Sequence, residues 1–141
     1  MDASVWGPHA WFFIHSLTLA YPKKPTDKEK KSTIQFFTSL KDILPCDICK
    51  THYRNNIDDS ELAEAVTTRK KLIEWTIALH NKVNVELGKR IYTKAEVIDY
   101  YKTKYTYSCV KYLPLIIVFL FVIVLVVAFF TIKTIENCYC K

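Results

Sequence analysis

The chain has 141 residues, half of them hydrophobic, and a formal net charge of +6. That length holds one small domain plus a segment or two. The basic excess is spread over scattered lysines, without the dense tract that would point to nucleic acid; it reads as a solvated surface with lysines near anionic lipid. Five cysteines is an odd number, so they cannot all pair within one chain, and their spacing is not that of a secreted disulfide framework.

Met1-Asp-Ala-Ser lacks the basic residues and apolar stretch of a signal peptide. From there the chain reads as helix after helix, with two glycines, Gly7 and Gly88, and no alternating strand pattern. A first helix is predicted from about Pro8 to Ala20, stopping before Tyr21-Pro22. Thr26 with Glu29 forms a capping-box pattern for a second, which carries Ile34, Phe37 and Leu40 and ends near Leu44, because Pro45 disfavours helix in the residue before it. A third begins at Cys46 and runs towards Asn55, followed by a polar stretch at Asp58-Asp59-Ser60.

A long helix is then expected from about Thr68 to Leu87. Its apolar seam is Leu72, Trp75, Leu79, Val83 and Leu87, and Gly88 is its C-cap. Thr93 and Glu96 repeat the capping box for a short fifth helix reaching Tyr101. From Tyr112 to Ile132 there is no charged residue, a run long enough to cross a bilayer core, which needs roughly 20 apolar residues. Pro114 stands in the first turn of that run, where its missing N–H is tolerated. Lys102, Lys104 and Lys111 before the run, against Lys133 and Lys141 after it, favour a cytoplasmic N-terminal domain. The expected fold is all-α: a four-helix bundle with a short fifth helix over residues 1–108, a transmembrane helix over 112–132, and a tail over 133–141.

Cys46-Asp-Ile-Cys49 carries the chemistry. Two cysteines one helical turn apart can cycle between dithiol and disulfide, and a helix N-terminus favours the thiolate. Two buried small residues, or half of a zinc site with His52 nearby, are the competing readings; no second CxxC or HxxxH follows at zinc-finger spacing. Trp11 and His15 stand four apart on one helix face, suited to a flat aromatic ligand or to an ordinary core. His80 and Asn84 repeat that step, with Asn81 beside them. Imidazole and amide groups in an apolar seam are costly to bury without partners, which a ligand, water or backbone would supply. Lys89 and Arg90 follow, placed to meet a pyrophosphate or simply exposed.

Taken together, Trp6-Gly7 with Trp11 and His15, Tyr21-Pro22, Pro45-Cys46-Asp-Ile-Cys49, Trp75 and His80-Asn81-Lys-Val83-Asn84-Val-Glu-Leu87-Gly88-Lys89 resemble the Erv/ALR FAD-linked sulfhydryl oxidases, particularly the small members encoded by large DNA viruses. The likeness covers about residues 5–109. It implies a helical bundle holding FAD, usually as a homodimer. Cys49 would be the cysteine next to the flavin ring and Cys46 the outer partner that meets incoming thiols. Trp11, His15, His80, Asn81, Asn84 and Lys89 would hold the FAD, with Gly7 allowing close backbone approach and Tyr101 as an aromatic contact.

The implied partners are protein dithiols, directly or through a thioredoxin-like or small CxxC carrier, with molecular oxygen as acceptor. If the chain is viral, it would sit in a host or virion membrane. A non-catalytic, tail-anchored helical adaptor is the alternative. The chain departs from many relatives at Arg90-Ile-Tyr-Thr-Lys94, which lacks their structural cysteine, so that Cys109 has no evident partner. Cys138-Tyr-Cys140 looks like the shuttle pair of some relatives, yet the predicted span separates it from Cys46.

Overall fold

The computed structural model describes residues 1–110 and 112–139, with side chains described for 1–106 and 112–135. All seven helices are α-helices, and no strand occurs among the described residues. The chain forms two compact units, Met1–Asp99 and Tyr100–Lys141.

In the first unit, α1 (Ala3–Ala20) starts earlier than the sequence suggests, because the Asp2 carboxylate accepts from Ser4 N at 2.8 Å and caps it. Pro8 therefore lies inside the helix, where its missing N–H costs a bond to the Ser4 carbonyl. The second helix, α2 (Asp27–Ile43), opens on the expected capping box: Glu29 N donates to Thr26 Oγ1 and Thr26 N donates to Glu29 Oε2 at 2.7 Å. Next comes α3 (Asp47–Asn56), with Cys46 as its N-cap.

The polar stretch that followed in the sequence is in fact the start of a short helix, α4 (Asp59–Ala65). Asp58 caps it, accepting from Ser60 N and Glu61 N. The long helix α5 (Arg69–Glu86) is capped by Thr68. It ends in a Schellman motif: Lys89 N donates to Asn84 O at 2.7 Å and Gly88 N to Val85 O at 3.1 Å. Gly88 has φ +63, the left-handed conformation this motif requires.

The core of this unit fills the space between α1 and α5, with α4 and α3 also against α5 and α2 against α3. Phe37, Leu62 and Leu72 are essentially sealed from solvent, each worth about 1.5–3 kcal/mol of apolar burial. Trp75 meets Phe37 edge to face at 4.9 Å. Buried hydroxyls are satisfied by backbone carbonyls: Tyr21 donates to Val66 O at 3.0 Å and Tyr53 to Phe37 O at 2.9 Å. The Arg69 guanidinium donates to Tyr21 O, fixing the turn after α1.

Beyond the loop that closes α5, α6 (Lys94–Val110) opens on the Thr93–Glu96 capping box and runs well past Tyr101, where the sequence reading stopped it. The last helix is α7 (Leu113–Tyr139). Its stretch Leu113–Ile135 is 23 residues long with mean hydropathy 3.5, and none of its most apolar window is buried. At 1.5 Å per residue that is about 35 Å, enough to cross a bilayer core of roughly 30 Å. The expectations for Cys109 and for the Cys138–Cys140 pair fall outside the described side chains.

Candidate functional site

Pro45 ends α2 and turns the chain so that Cys46 takes an extended conformation (φ -155, ψ 122) at the head of α3. Its Sγ accepts from Cys49 N at 3.3 Å, the place an N-cap side chain occupies. Cys46 and Cys49 are joined by a disulfide with Cα atoms 5.1 Å apart. Both are half-buried, while Asp47 and Ile48 between them face solvent, Ile48 at 70% exposure. Once reduced, either sulfur would sit in the first turn of α3, where free N–H groups and the helix dipole stabilise a thiolate.

A second cluster forms where α1 packs on α5. The Trp11 ring lies flat on the His80 ring, with centroids 3.9 Å apart and planes within 6°. His15 Nε2 and His80 Nδ1 are 3.0 Å apart, one donating and the other accepting. Burial pushes the His15 imidazole down to about 4, and His15 is only 3% exposed. His80 is also pushed down to about 4, first by burial and then by the charges of His15 and Lys89. Both rings are therefore neutral at pH 7, and one hydrogen bond joins them.

One turn beyond His80, Asn84 is 6% exposed. Upstream on α1, Trp6 Nε1 is buried without a partner among the described residues. A buried donor left this way costs free energy, so it marks where a bound acceptor belongs. The space beside Gly7 is open, with nothing within 4 Å of where a Cβ would stand. The Schellman motif folds the backbone of Lys89 back onto Asn84, near enough for its charge to act on His80. Aromatic faces, neutral imidazoles, an orphaned indole N–H, a buried carboxamide and a cation make a set that fits FAD: flat rings bearing nitrogens, ribose hydroxyls and a diphosphate.

The profile of the Erv1 / Alr family matches residues 8–105. The chain belongs to that family. It is 36% identical over 100 residues to a probable FAD-linked sulfhydryl oxidase of Acanthamoeba polyphaga mimivirus, covering 70% of each chain. It is 34% identical over 88 residues to the mitochondrial FAD-linked sulfhydryl oxidase of Saccharomyces cerevisiae, covering 62% of this chain but under half (46%) of the yeast protein. The crystal structure of the FAD-binding domain of yeast Erv1 superimposes with a TM-score of 0.62 at 34% identity, covering 67% of this chain and 89% of that one.

Within this Erv1/Alr chain the expected residues fall into three groups. Trp11, His15 and His80 meet directly, and Asn84 and Lys89 share the same end of α5. Asn81 turns elsewhere: its Nδ2 donates to Tyr92 O at 2.8 Å and its Oδ1 accepts from Tyr92 N at 2.9 Å, pinning the loop after Gly88. Tyr101 belongs to the second unit.

Sequence reasoning missed three residues that brace the redox helix. His52 Nδ1 lies 3.3 Å from Glu86 Oε2, and Asn56 Nδ2 donates to Glu86 Oε1 at 2.7 Å. His52 stood out only as a metal-ligand candidate. Among the described residues no group of three or more His, Cys, Asp or Glu is assembled to hold a metal.

Proposed function

We propose that this chain is a membrane-anchored FAD-linked sulfhydryl oxidase that forms disulfides in protein dithiols with oxygen as acceptor. The observation that carries the reading is a disulfide at a helix N-terminus in the same unit as a part-buried aromatic–imidazole cradle, in a chain of the Erv1/Alr family. A substrate thiolate attacks Cys46 Sγ, breaking the Cys46–Cys49 bond and releasing Cys49 as a thiolate in the first turn of α3. The second substrate thiolate attacks the sulfur joined to Cys46, leaving the substrate oxidised and Cys46 as a thiolate accepting the Cys49 N–H. Two thiols are oxidised and one enzyme disulfide is reduced. Bound FAD supplies the two-electron link from the enzyme dithiol to oxygen, which leaves as hydrogen peroxide.

Trp11 and His80 would stack against the flat part of the cofactor, and His15 holds His80 in place as a neutral ring. Asn84 offers a carboxamide to ring nitrogens or hydroxyls, and Lys89 a cation to the diphosphate. Gly7 leaves room for close approach, and Asn81 contributes by holding the loop after Gly88 through its two hydrogen bonds to Tyr92. A homodimer is supported by α1, whose Val5, Phe13 and Leu17 are exposed large apolar side chains in one helix. The apolar helix α7 is read as the anchor, with residues 1–108 as the oxidase domain, on the cytoplasmic side by the lysine bias, in a host or virion membrane. Thioredoxin-like or small CxxC carriers are the proposed intermediaries to substrate.

The test is oxygen uptake by the full chain in detergent with a reduced dithiol protein as substrate. One hydrogen peroxide per disulfide formed supports the oxidase; no uptake above the protein-free rate contradicts it.

A further inference from the structure

We propose that Glu86 is a positioning residue that fixes the Cys46–Cys49 helix against the cofactor end of α5, an inference that rests on the oxidase reading. Glu86 is the last residue of α5, and that last turn contains no basic residue. A carboxylate there opposes the helix dipole and costs helix stability by itself. Its placement is explained across the helix interface, where α3 engages both oxygens. Asn56 Nδ2 donates to Oε1 at 2.7 Å, and His52 Nδ1 stands 3.3 Å from Oε2. Asn56 Nδ2 also donates to the His52 carbonyl at 2.9 Å, so the two α3 partners are braced together.

The other ion pairs of the first unit differ. Lys30–Asp27 and Lys50–Asp47 join neighbouring turns of one helix. Lys41–Asp59, Arg54–Asp42, Lys82–Glu61, Lys71–Glu64 and Lys94–Glu74 join different helices through a single contact each, and Arg90–Glu96 joins a loop to the helix that follows it. Only at Glu86, among the described residues, does one carboxylate take two side chains from a neighbouring helix.

Glu86 faces α3 from a different side of α5 than the one bearing His80 and Asn84, so the tether acts through the two helices as rigid bodies. His52 is three residues beyond Cys49, on the same face of α3. Glu86 is two residues beyond Asn84 and six beyond His80 on α5. One carboxylate thus ties the helix that begins with the redox pair to the helix that carries the proposed cofactor groups. Passing electrons from a sulfur to a bound ring requires contact, and a displacement of about 1 Å can cost on the order of a hundredfold in rate. Glu86 touches no reacting atom; it acts by holding α3 in place.

The experiment uses the full chain in detergent and three variants: Glu86→Ala, Glu86→Gln and Asn56→Leu. Two quantities are read: the anaerobic rate at which dithiothreitol bleaches the flavin, and backbone hydrogen exchange across Cys49–Asn56. Glu86→Ala should slow bleaching at least tenfold at unchanged flavin content and speed exchange along α3 at least tenfold. Glu86→Gln keeps an acceptor for Asn56 and offers His52 a donor, so it should recover most of both. Asn56→Leu removes one of the two contacts and should fall between, and it decides the matter if Glu86→Ala does not fold.

Wild-type bleaching and exchange in Glu86→Ala would overturn the proposal, as would a Glu86→Gln variant no better than Glu86→Ala. Exchange needs no flavin. A wild-type chain that bound none would therefore sink the oxidase reading, while the exchange comparison still decided the tether.

Discussion

The Trp11–His15–His80 cluster and the Cys46–Cys49 pair belong to one compact unit and are partly open alike at Trp11, His80 and both cysteines, yet only the first has a sealed member. His15 is almost sealed, both imidazoles are held neutral by burial, and an indole face covers His80. The cysteines are half-open at a helix end, with Ile43 and Ile48 exposed beside them. A cradle of stacked rings over a sealed imidazole suits a group that stays bound through every turnover. A half-open disulfide flanked by exposed side chains suits a partner that arrives and leaves. On the proposed reading one small helical unit serves both a resident and a visitor: α5 would anchor the cofactor, and the head of α3 would present the disulfide to a substrate thiol.

The sharpest way to separate the halves is to remove one at a time. Cys49→Ser should abolish dithiol-driven oxygen consumption down to background while leaving visible flavin absorption in place. Loss of flavin together with activity would show that the halves are not separable. Conversely, His80→Ala removes the Trp11 stack and the His15 hydrogen bond. Together these are worth about 1–3 kcal/mol, so FAD should bind roughly ten- to a hundredfold more weakly. The Cys46–Cys49 disulfide should still be reduced by added dithiothreitol at its normal rate, as scored by thiol alkylation.

Acid should act on the cradle through its two buried imidazoles. The unfolded chain takes up protons at His15 and His80 below about pH 6.5, whereas the folded chain resists until about pH 4. Their contribution to stability is therefore complete above pH 6.5 and is lost as pH falls towards 4. For His15 the loss is up to about 3 kcal/mol, and less for His80, which keeps some contact with solvent. Melting temperature and flavin retention should fall together over that window. A flat profile from pH 7 to 4.5 would contradict neutral buried imidazoles.

The smallest expected effect lies away from both halves. Thr26→Ala removes the α2 cap and should cost about 1 kcal/mol in denaturant unfolding without altering flavin content or bleaching rate. A change in bleaching would mean that α2 bears on the site more directly than its caps suggest.

Much of this architecture is legible in residue order because the signals are local. The Thr26–Glu29 and Thr93–Glu96 boxes, Pro45 and Gly88 act within a few residues, and the helix boundaries they set are those observed. The misses arise where local signals compete. Pro8 suggests a helix start, but Asp2 caps the chain earlier. Asp58-Asp59-Ser60 has the composition of a loop, yet its first residue is a cap. No proline or glycine follows Tyr101 until Pro114, so nothing stops α6 where the reading ended it.

Of the site, His15 and His80 stand out individually, but their hydrogen bond spans 65 residues and depends on how α1 packs against α5. By sequence position Asn81 groups with His80 and Asn84. Being one residue on from His80, it is rotated about 100° around the helix, and it faces the Tyr92 loop instead. Glu86 leaves one faint trace: an acidic residue at a helix end that prefers cations.

The most direct test is the visible spectrum of the purified full chain in detergent, followed without oxygen as dithiothreitol is added, alongside Cys49→Ser. A flavin spectrum that bleaches in the wild-type chain and persists in Cys49→Ser is the predicted result. A chain that is folded and helical but carries no flavin, even after FAD is added, would contradict it. So would bleaching at equal rates in both proteins, because the electrons would then bypass the cysteine pair.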